Sequence, residues 1–158
     1  MLLNHRTWHS SVDRVRRFLG GVPARVQVAA LPWREEDRGV EVMLITSRDT
    51  GRWVLPKGWP EGDEALHEAA MREAAEEAGL RGSISDKESG RYFYGKGLKS
   101  GLEQRCEVFV FAMKVERVEQ KWPEKGQRIR KWFTPQIAAS RVREPELSEL
   151  LSEFAPSA

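Results

Sequence analysis

Read as a pattern of apolar and polar positions, the chain falls into short strands and amphipathic helices, with no internal repeat. Residues 25–31 (RVQVAAL) alternate, with Val26, Val28 and Ala30 on one face, and predict a strand. Residues 40–47 (VEVMLITS) are mostly apolar and predict a second, after which Arg48-Asp49-Thr50-Gly51 supplies a turn into Trp53-Val54-Leu55. A helix is expected over about 63–78, with Asp63 as its N-cap and Gly79 as the left-handed residue that closes the last turn. The stretch 81–105 has no clear period. Tyr92, Phe93 and Tyr94 suggest a short strand there, with a mobile Gly-Lys loop behind it.

Residues 107–115 (EVFVFAMKV) are apolar on both faces, which suits a central strand covered on two sides. Arg130 to Phe133 reads as one more strand, and Thr134-Pro135 as the cap and first turn of a short helix reaching about Ser140. A last helix from near Glu144-Pro145 would bury Leu147, Leu150, Leu151 and Phe154 at i, i+3, i+4 and i+7. The sum is an α/β fold, a mixed β-sheet packed between helices, in one domain over residues 22–158. Residues 1–21 read as an N-terminal extension with a short helix, capped by Ser11, turning Val12, Val15, Phe18 and Leu19 inward and stopped by Gly20-Gly21.

Composition narrows the classes. The 158 residues are 40% hydrophobic and 32% charged, and no apolar run approaches the roughly 18 residues of a membrane span. A net charge of +2 provides no polycation field for holding nucleic acid, so no nucleic-acid partner is expected. The start of the chain is arginine-rich, with Asp13 its one acid, as in organelle targeting segments. It runs directly into a strand pattern without a cleavage-like spacer, so a surface helix and a cytoplasmic protein, monomeric or homodimeric, are the expectation. Cys106 is the single cysteine; it excludes an internal disulfide and reads as a half-buried structural thiol. His5, His9 and His67 lack metal-ligand spacing.

One helix carries chemistry. Glu73, Glu76 and Glu77 stand at i, i+3 and i+4 and share a face, and Leu66, Ala69 and Ala70 fall on the same stripe one or two turns earlier. A stripe that begins as core thus ends as three like charges. A solvated face would tolerate them; a buried one would need a cation, and a hard divalent ion with oxygen ligands, Mg²⁺ above all, is the natural partner. Both readings stand on helix geometry alone.

The spacing Gly58, Glu64, Arg72-Glu73, Ala74, Glu76-Glu77, Gly79-Leu80 resembles the Nudix box, with Ala74 where a larger aliphatic residue is common. The resemblance implies the Nudix α/β/α sandwich and hydrolysis of a diphosphate linkage assisted by Mg²⁺, with Mn²⁺ as substitute. It implies that Glu73, Glu76 and Glu77 hold the metal, with a carbonyl from around Gly58 and a later acid for which Glu124 is the candidate. Glu73 and Glu77 are the candidate bases that deprotonate water, and Glu64, Arg72 and Gly79 would be structural.

The run Arg52-Trp53-Val54-Leu55-Pro56-Lys57-Gly58 and the segment around Trp122 and Arg128 to Phe133 are similar to diphosphoinositol polyphosphate phosphohydrolases and diadenosine polyphosphate hydrolases. That similarity implies a phosphate-rich small-molecule substrate gripped by Arg25, Arg48, Arg105, Arg128 and Arg130, whose forks suit phosphate oxygens. Arg130 is the strongest of these candidates, and Lys57 either contacts phosphate or caps its loop. Trp59, inside the motif loop, is the best candidate for stacking on a base. Hydrolysis of ADP-ribose or another nucleoside diphosphate derivative, action on the triphosphate end of RNA, and a silent binding module are the alternatives.

Overall fold

The computed structural model describes residues 24–156, so the helix expected near residues 11–19 lies outside the described residues. In chain order the elements are β1 (Arg25–Glu36), β2 (Gly39–Thr46), β3 (Trp53–Val54), β4 (Lys57–Gly58), α1 (Leu66–Ala78), β5 (Leu80–Gly97), β6 (Glu103–Val118), β7 (Arg130–Phe133), α2 (Pro135–Arg141) and α3 (Pro145–Ser152). They build one mixed sheet in the order β3-β2-β1-β6-β5, with β4 against β1 and β7 against β2. Among the described strands only β1 and β6 run parallel, from Arg25 opposite Cys106 to Trp33 opposite Lys114.

The period-2 pattern sorts the strands' side chains into two cores. Val28, Ala30, Met43, Ile45, Phe111 and Met113 face α1, whose Ala69, Ala70, Ala74 and Ala78 let the helix lie close to the sheet. Ala29, Leu31, Val42, Leu44, Val108 and Val110 face the other way, onto Ala138, Ala139, Leu147 and Leu151 of α2 and α3. The 107–115 run is therefore central and covered on both sides, as its composition predicts. In β1 the alternation is buried on both faces, and Val26 lies at the exposed end.

Three expectations change. The helix begins at Leu66, with Ala65 in the cap position and no side-chain cap, so Asp63 does not cap it. The carboxylate of Glu64 does the local work instead: it accepts the Glu61 backbone N–H at 2.8 Å and two bonds from Arg72, folding the chain around Gly62 before the helix starts. The stretch 81–105 is not a short strand and a mobile loop. Residues 80–97 form one long edge strand, broken in register near Gly82, Glu88 and Gly90, and Gly95–Gly97 pair with Glu103–Arg105. Only the 98–102 turn joins it to β6, closed by Leu98 N–H donating to Leu102 at 2.8 Å. Finally, β1 extends five residues beyond the predicted 31, because its second half pairs with β2 while its first half receives β4.

That split in β1 positions the site. Val28 lies opposite Gly58 and Ala29 opposite Lys57, and Ala30 N–H donates to the Pro56 carbonyl at 3.0 Å, fixing the loop that leads into α1. Thr134 caps α2 through the Ile137 N–H, as its sequence predicts.

Candidate active site

The acidic helix ends in a left-handed Gly79 at φ 66°, where a Cβ would stand 2.8 Å from the Trp122 ring. An α-helix leaves its last carbonyls without partners. Here the segment 119–130 supplies them: Glu124 N–H donates to Glu76 O, Trp122 Nε1 to Glu77 O, Arg130 Nη1 to Ala78 O and Glu119 N–H to Gly79 O, at 2.8–3.2 Å. The same contacts that finish the helix carry Glu124 back to its acids.

Glu73 and Glu77 are buried among the alanines of the core face, whereas Glu76 is 44% exposed. Each of the three helix acids is partnered by an arginine. Arg72 donates to Glu64, to the Trp59 carbonyl at 3.0 Å, to Glu73 Oε1 at 2.9 Å and to Glu76 at 3.4 Å, tying the motif loop to the helix. Glu77 accepts the Lys57 backbone N–H on Oε2 at 3.1 Å and Arg128 Nη2 on Oε1 at 3.0 Å. Burial raises the Glu73 carboxyl, and it pushes Glu77 up to about 7 against the pull of Arg128. Burial likewise lowers the Lys57 ammonium, which sits 5.1 Å over the Tyr94 ring with no carboxylate in ion-pair range among the described residues.

The acids open onto a cleft of about 460 Å³, large enough for a nucleotide-sized ligand. Its lining brings Glu73, Glu77, Glu124 and Arg128 together with Lys57, Trp59, Tyr94 and Lys96, and with residues of the Arg48-to-Arg52 turn. The hollow bounded by Trp33 and Phe154 at the far end of the sheet has none of these acids and is not a candidate for the chemistry.

Among the described residues no three acids converge tightly enough to form a ready metal cage. The donor set nevertheless fits a divalent cation: two buried carboxylates raised by desolvation, a third at the rim, and Glu124 delivered by the helix-capping segment. Gly58 fits as well, because an added Cβ would stand 2.2 Å from Glu73 Oε1; the missing side chain is where that carboxylate rests.

The basic candidates divide. Arg48 borders the cleft, exposed, donating to Gln127 at 3.1 Å and lying 3.6 Å from Glu124. Arg25 lies 4.3 Å over the Trp59 ring, which it shares with Lys96 at 5.1 Å. Arg105 stacks on Phe93 at 4.1 Å and does not line the cleft. Arg128 is 9% exposed and bonded to two acids.

Arg130 does not line the cleft, where the similarity would have it grip phosphate. It stacks 3.9 Å from the Trp122 ring and donates to Ala78 O and Glu119 O, a cation at the helix C-terminus. Its alternation with Lys131 beside aromatics marks a strand end in the sequence, not the direction of its guanidinium. Arg130→Ala should leave the carbonyls of buried Ala78 and half-buried Glu119 without this donor and lower Tm by about 3–8 °C, by the usual cost of such a loss. Any loss of kcat/KM should be the same for substrates with few or many phosphates, and a loss that grows with phosphate number would restore Arg130 to the cleft.

Several participants carry no sequence signal. Arg52 holds the buried Glu144 at 2.7 Å across 92 residues, and Tyr94 donates to Gln27 beside the buried Cys106. Lys96 reaches the cleft only because β5 is a full-length strand. Of the remaining tryptophans, Trp53 packs edge-on against Phe133 and Trp33 against Phe154, so both belong to the core.

A mixed sheet carrying an acid-tipped helix beneath a cation-lined cleft is the layout of an enzyme that works on phosphate linkages. The model of the NUDIX domain matches residues 23–154, and the chain belongs to that family. It is 34% identical over 152 residues to the Arabidopsis thaliana protein named Nudix hydrolase 12, mitochondrial, covering 90% of this chain and 73% of the relative. Nudix hydrolase 16, mitochondrial, of the same plant is 35% identical over 121 residues, covering 75% and 67%. Among solved structures, the C. elegans Ap4A hydrolase superposes with a TM-score of 0.60 at 19% identity, covering 83% of this chain and 96% of that one. The fold is thus the Nudix α/β fold, and the chain is a hydrolase acting on acid anhydrides in phosphorus-containing substrates.

Proposed function

We propose that this chain is a Mg²⁺-dependent pyrophosphohydrolase whose substrates are polyphosphates, with dinucleoside polyphosphates ahead of diphosphoinositol polyphosphates. The observation that carries the reading is the mixed lining of the cleft, which gathers Glu73, Glu77 and Glu124 with Lys57, Lys96 and the rings of Trp59 and Tyr94. Arg105 and Arg130 are engaged elsewhere, so the rim offers fewer cations than a densely phosphorylated ring would need, and it adds aromatic surface suited to a base. The C. elegans neighbour is itself named for hydrolysing one dinucleoside polyphosphate, Ap4A.

Glu73, Glu76, Glu77, Glu124 and the Gly58 carbonyl would hold the metal. When bound, Mg²⁺ screens the diphosphate charge and lowers the pKa of coordinated water. Glu73 or Glu77, each raised by burial, takes the proton from the attacking water. Lys57, from β4, faces the phosphates as a cleft cation held by a ring contact and by no carboxylate ion pair among the described residues. A cytoplasmic location belongs to the same proposal, and imaging of a C-terminally tagged full chain decides between it and the organelle named for the plant relatives.

The test is a substrate panel with and without Mg²⁺, read as kcat/KM. Diadenosine polyphosphates should rank first, diphosphoinositol polyphosphates second, ADP-ribose third and nucleoside triphosphates last, all silent in chelator. Mg²⁺ should also raise Tm by mass action, and the shift should vanish in the triple Glu73→Gln, Glu76→Gln, Glu77→Gln variant. ADP-ribose in first place, or an equal Tm shift in the variant, overturns the reading.

A further inference from the structure

Arg128 is a cation built into the acid cluster. Its Nη2 lies 3.0 Å from Glu77 Oε1 and 3.0 Å from Glu124 Oε1, its Nε donates to the same Glu124 oxygen at 3.0 Å, and its Nη1 reaches the Thr46 carbonyl at 3.2 Å. Side-chain exposures of 9% for Arg128, 10% for Glu77 and 18% for Glu124 mean that these contacts are made largely out of water. Buried acids need a neutralising cation, and here the chain supplies its own.

The other oxygen of Glu77 already accepts the Lys57 N–H, so Oε1 is the oxygen turned toward Arg128 and Glu124. A guanidinium and a divalent ion cannot both sit between these two carboxylates, because each needs the same oxygens and like charges repel at that range. Arg128 also borders the cleft alongside Arg48 and Lys57. Its Thr46 anchor tethers it to the end of β2, so release from the acids leaves it at the wall where phosphates would lie.

We infer that Arg128 is an exchangeable counter-ion: it occupies Glu77 and Glu124, yields them to the divalent cation, and then turns its fork to the substrate's phosphates. This rests on the function proposed above and adds a coupling to it. Metal binding frees a phosphate ligand, and phosphate, by drawing Arg128 away from the acids, tightens metal binding by the same factor. Arg128 is thus a positioning residue that sets the order and strength of loading.

The experiment measures Mn²⁺ binding by electron paramagnetic resonance on the full chain, with and without the non-hydrolysable diphosphate mimic methylenediphosphonate. In the wild-type protein methylenediphosphonate should tighten Mn²⁺ binding, and Arg128→Gln alone should tighten it by at least about fivefold, within the range of such couplings. In that variant methylenediphosphonate should add little further. Arg128→Lys keeps the charge but cannot bridge both acids, and should fall between the two; it also serves should the glutamine variant fold poorly.

Arg48→Gln separates displacement from loss of a nearby charge, since Arg48 is exposed and lies 3.6 Å from Glu124; it should change Mn²⁺ affinity less than twofold, as expected for a screened surface charge. The inference is overturned if Arg128→Gln and Arg128→Lys bind Mn²⁺ no more tightly than wild type, if Arg48→Gln has the same effect, or if the wild-type protein binds no Mn²⁺. Failure of the substrate assignment reads differently: Mn²⁺ and methylenediphosphonate stay coupled through Arg128 while dinucleoside polyphosphates go uncleaved.

Discussion

Changing Glu77 to Gln, or Glu73 to Gln, is expected to reduce turnover by at least about 10²-fold with the fold intact, the scale of losing a general base or a metal-held water. Glutamine keeps the volume of each side chain, and its single carbonyl still accepts the Arg72 donor at 73 or either the Lys57 N–H or Arg128 at 77, so the packing under α1 is kept at the cost of one hydrogen bond at 77. What goes is charge. Glu77 shows this independently of activity, because its native carboxyl holds a proton up to about 7, while an unfolded chain releases it near the ordinary value of about 4.3.

The native state therefore binds more protons than the unfolded state across that window, and stability must fall as pH rises through it. With metal chelated, the Tm of the wild-type protein should decline between about pH 4.5 and pH 7, and Glu77→Gln should lessen that decline, leaving the part contributed by Glu73, which burial also raises. Thermal scans in chelator at several pH values check the second half, and steady-state assays in Mg²⁺ the first. Near-normal turnover in both variants would take the acid cluster out of the reaction.

The acid cluster was legible because helical spacing is rigid. Once Gly79 fixes the end of α1, Glu73 and Glu77 must share the stripe that Ala69, Ala70 and Ala74 bury. The central strand was legible for a similar reason, since an apolar run of both parities has no solvent face. Arg130 was not legible. A strand's period says which face a residue takes, but a long guanidinium reaches well beyond its Cα, here to the carbonyls of Ala78 and Glu119. The full length of β5 was hidden because its middle, residues 85–89, is exposed on both faces and loses the alternation, and its irregularities near Gly82 and Glu88 break what remains. Lys96 was hidden with it.

The start of α1 shows the opposite limit. Asp63 has the right chemistry for a cap, yet Arg72, nine residues on, holds Glu64 and the Trp59 carbonyl, and that tertiary lock decides where the helix begins. Local propensity lost to three charge-assisted bonds.

Gly58→Ala should separate catalysis from stability more cleanly than any acid variant. The backbone at Gly58 is not in the left-handed region, so alanine costs nothing in φ and ψ. The obstacle is the Glu73 carboxylate, whose Oε1, Cδ and Oε2 lie 2.2, 2.3 and 2.6 Å from where the new Cβ would be. Ordinary contact needs a further ångström or more, and the flexible end of Glu73 can give way where a backbone could not. The fold should absorb the change, with Tm in chelator moving by less than about 3 °C, because no core atom is displaced. Activity should not absorb it, since an ångström of misplacement in a reacting group costs on the order of 10²-fold.

Gly62→Ala is the counterpart. It sits at φ 56° with nothing within 4 Å of an added Cβ, so its penalty is backbone strain alone. It should lower Tm by about 2–8 °C, from about 1–2 kcal/mol of left-handed strain, while kcat/KM stays within about threefold. Measured together, the two variants should fall in opposite corners of a plot of Tm against kcat/KM. If Gly58→Ala instead loses Tm and keeps its turnover, the Glu73 carboxylate is packing and not chemistry.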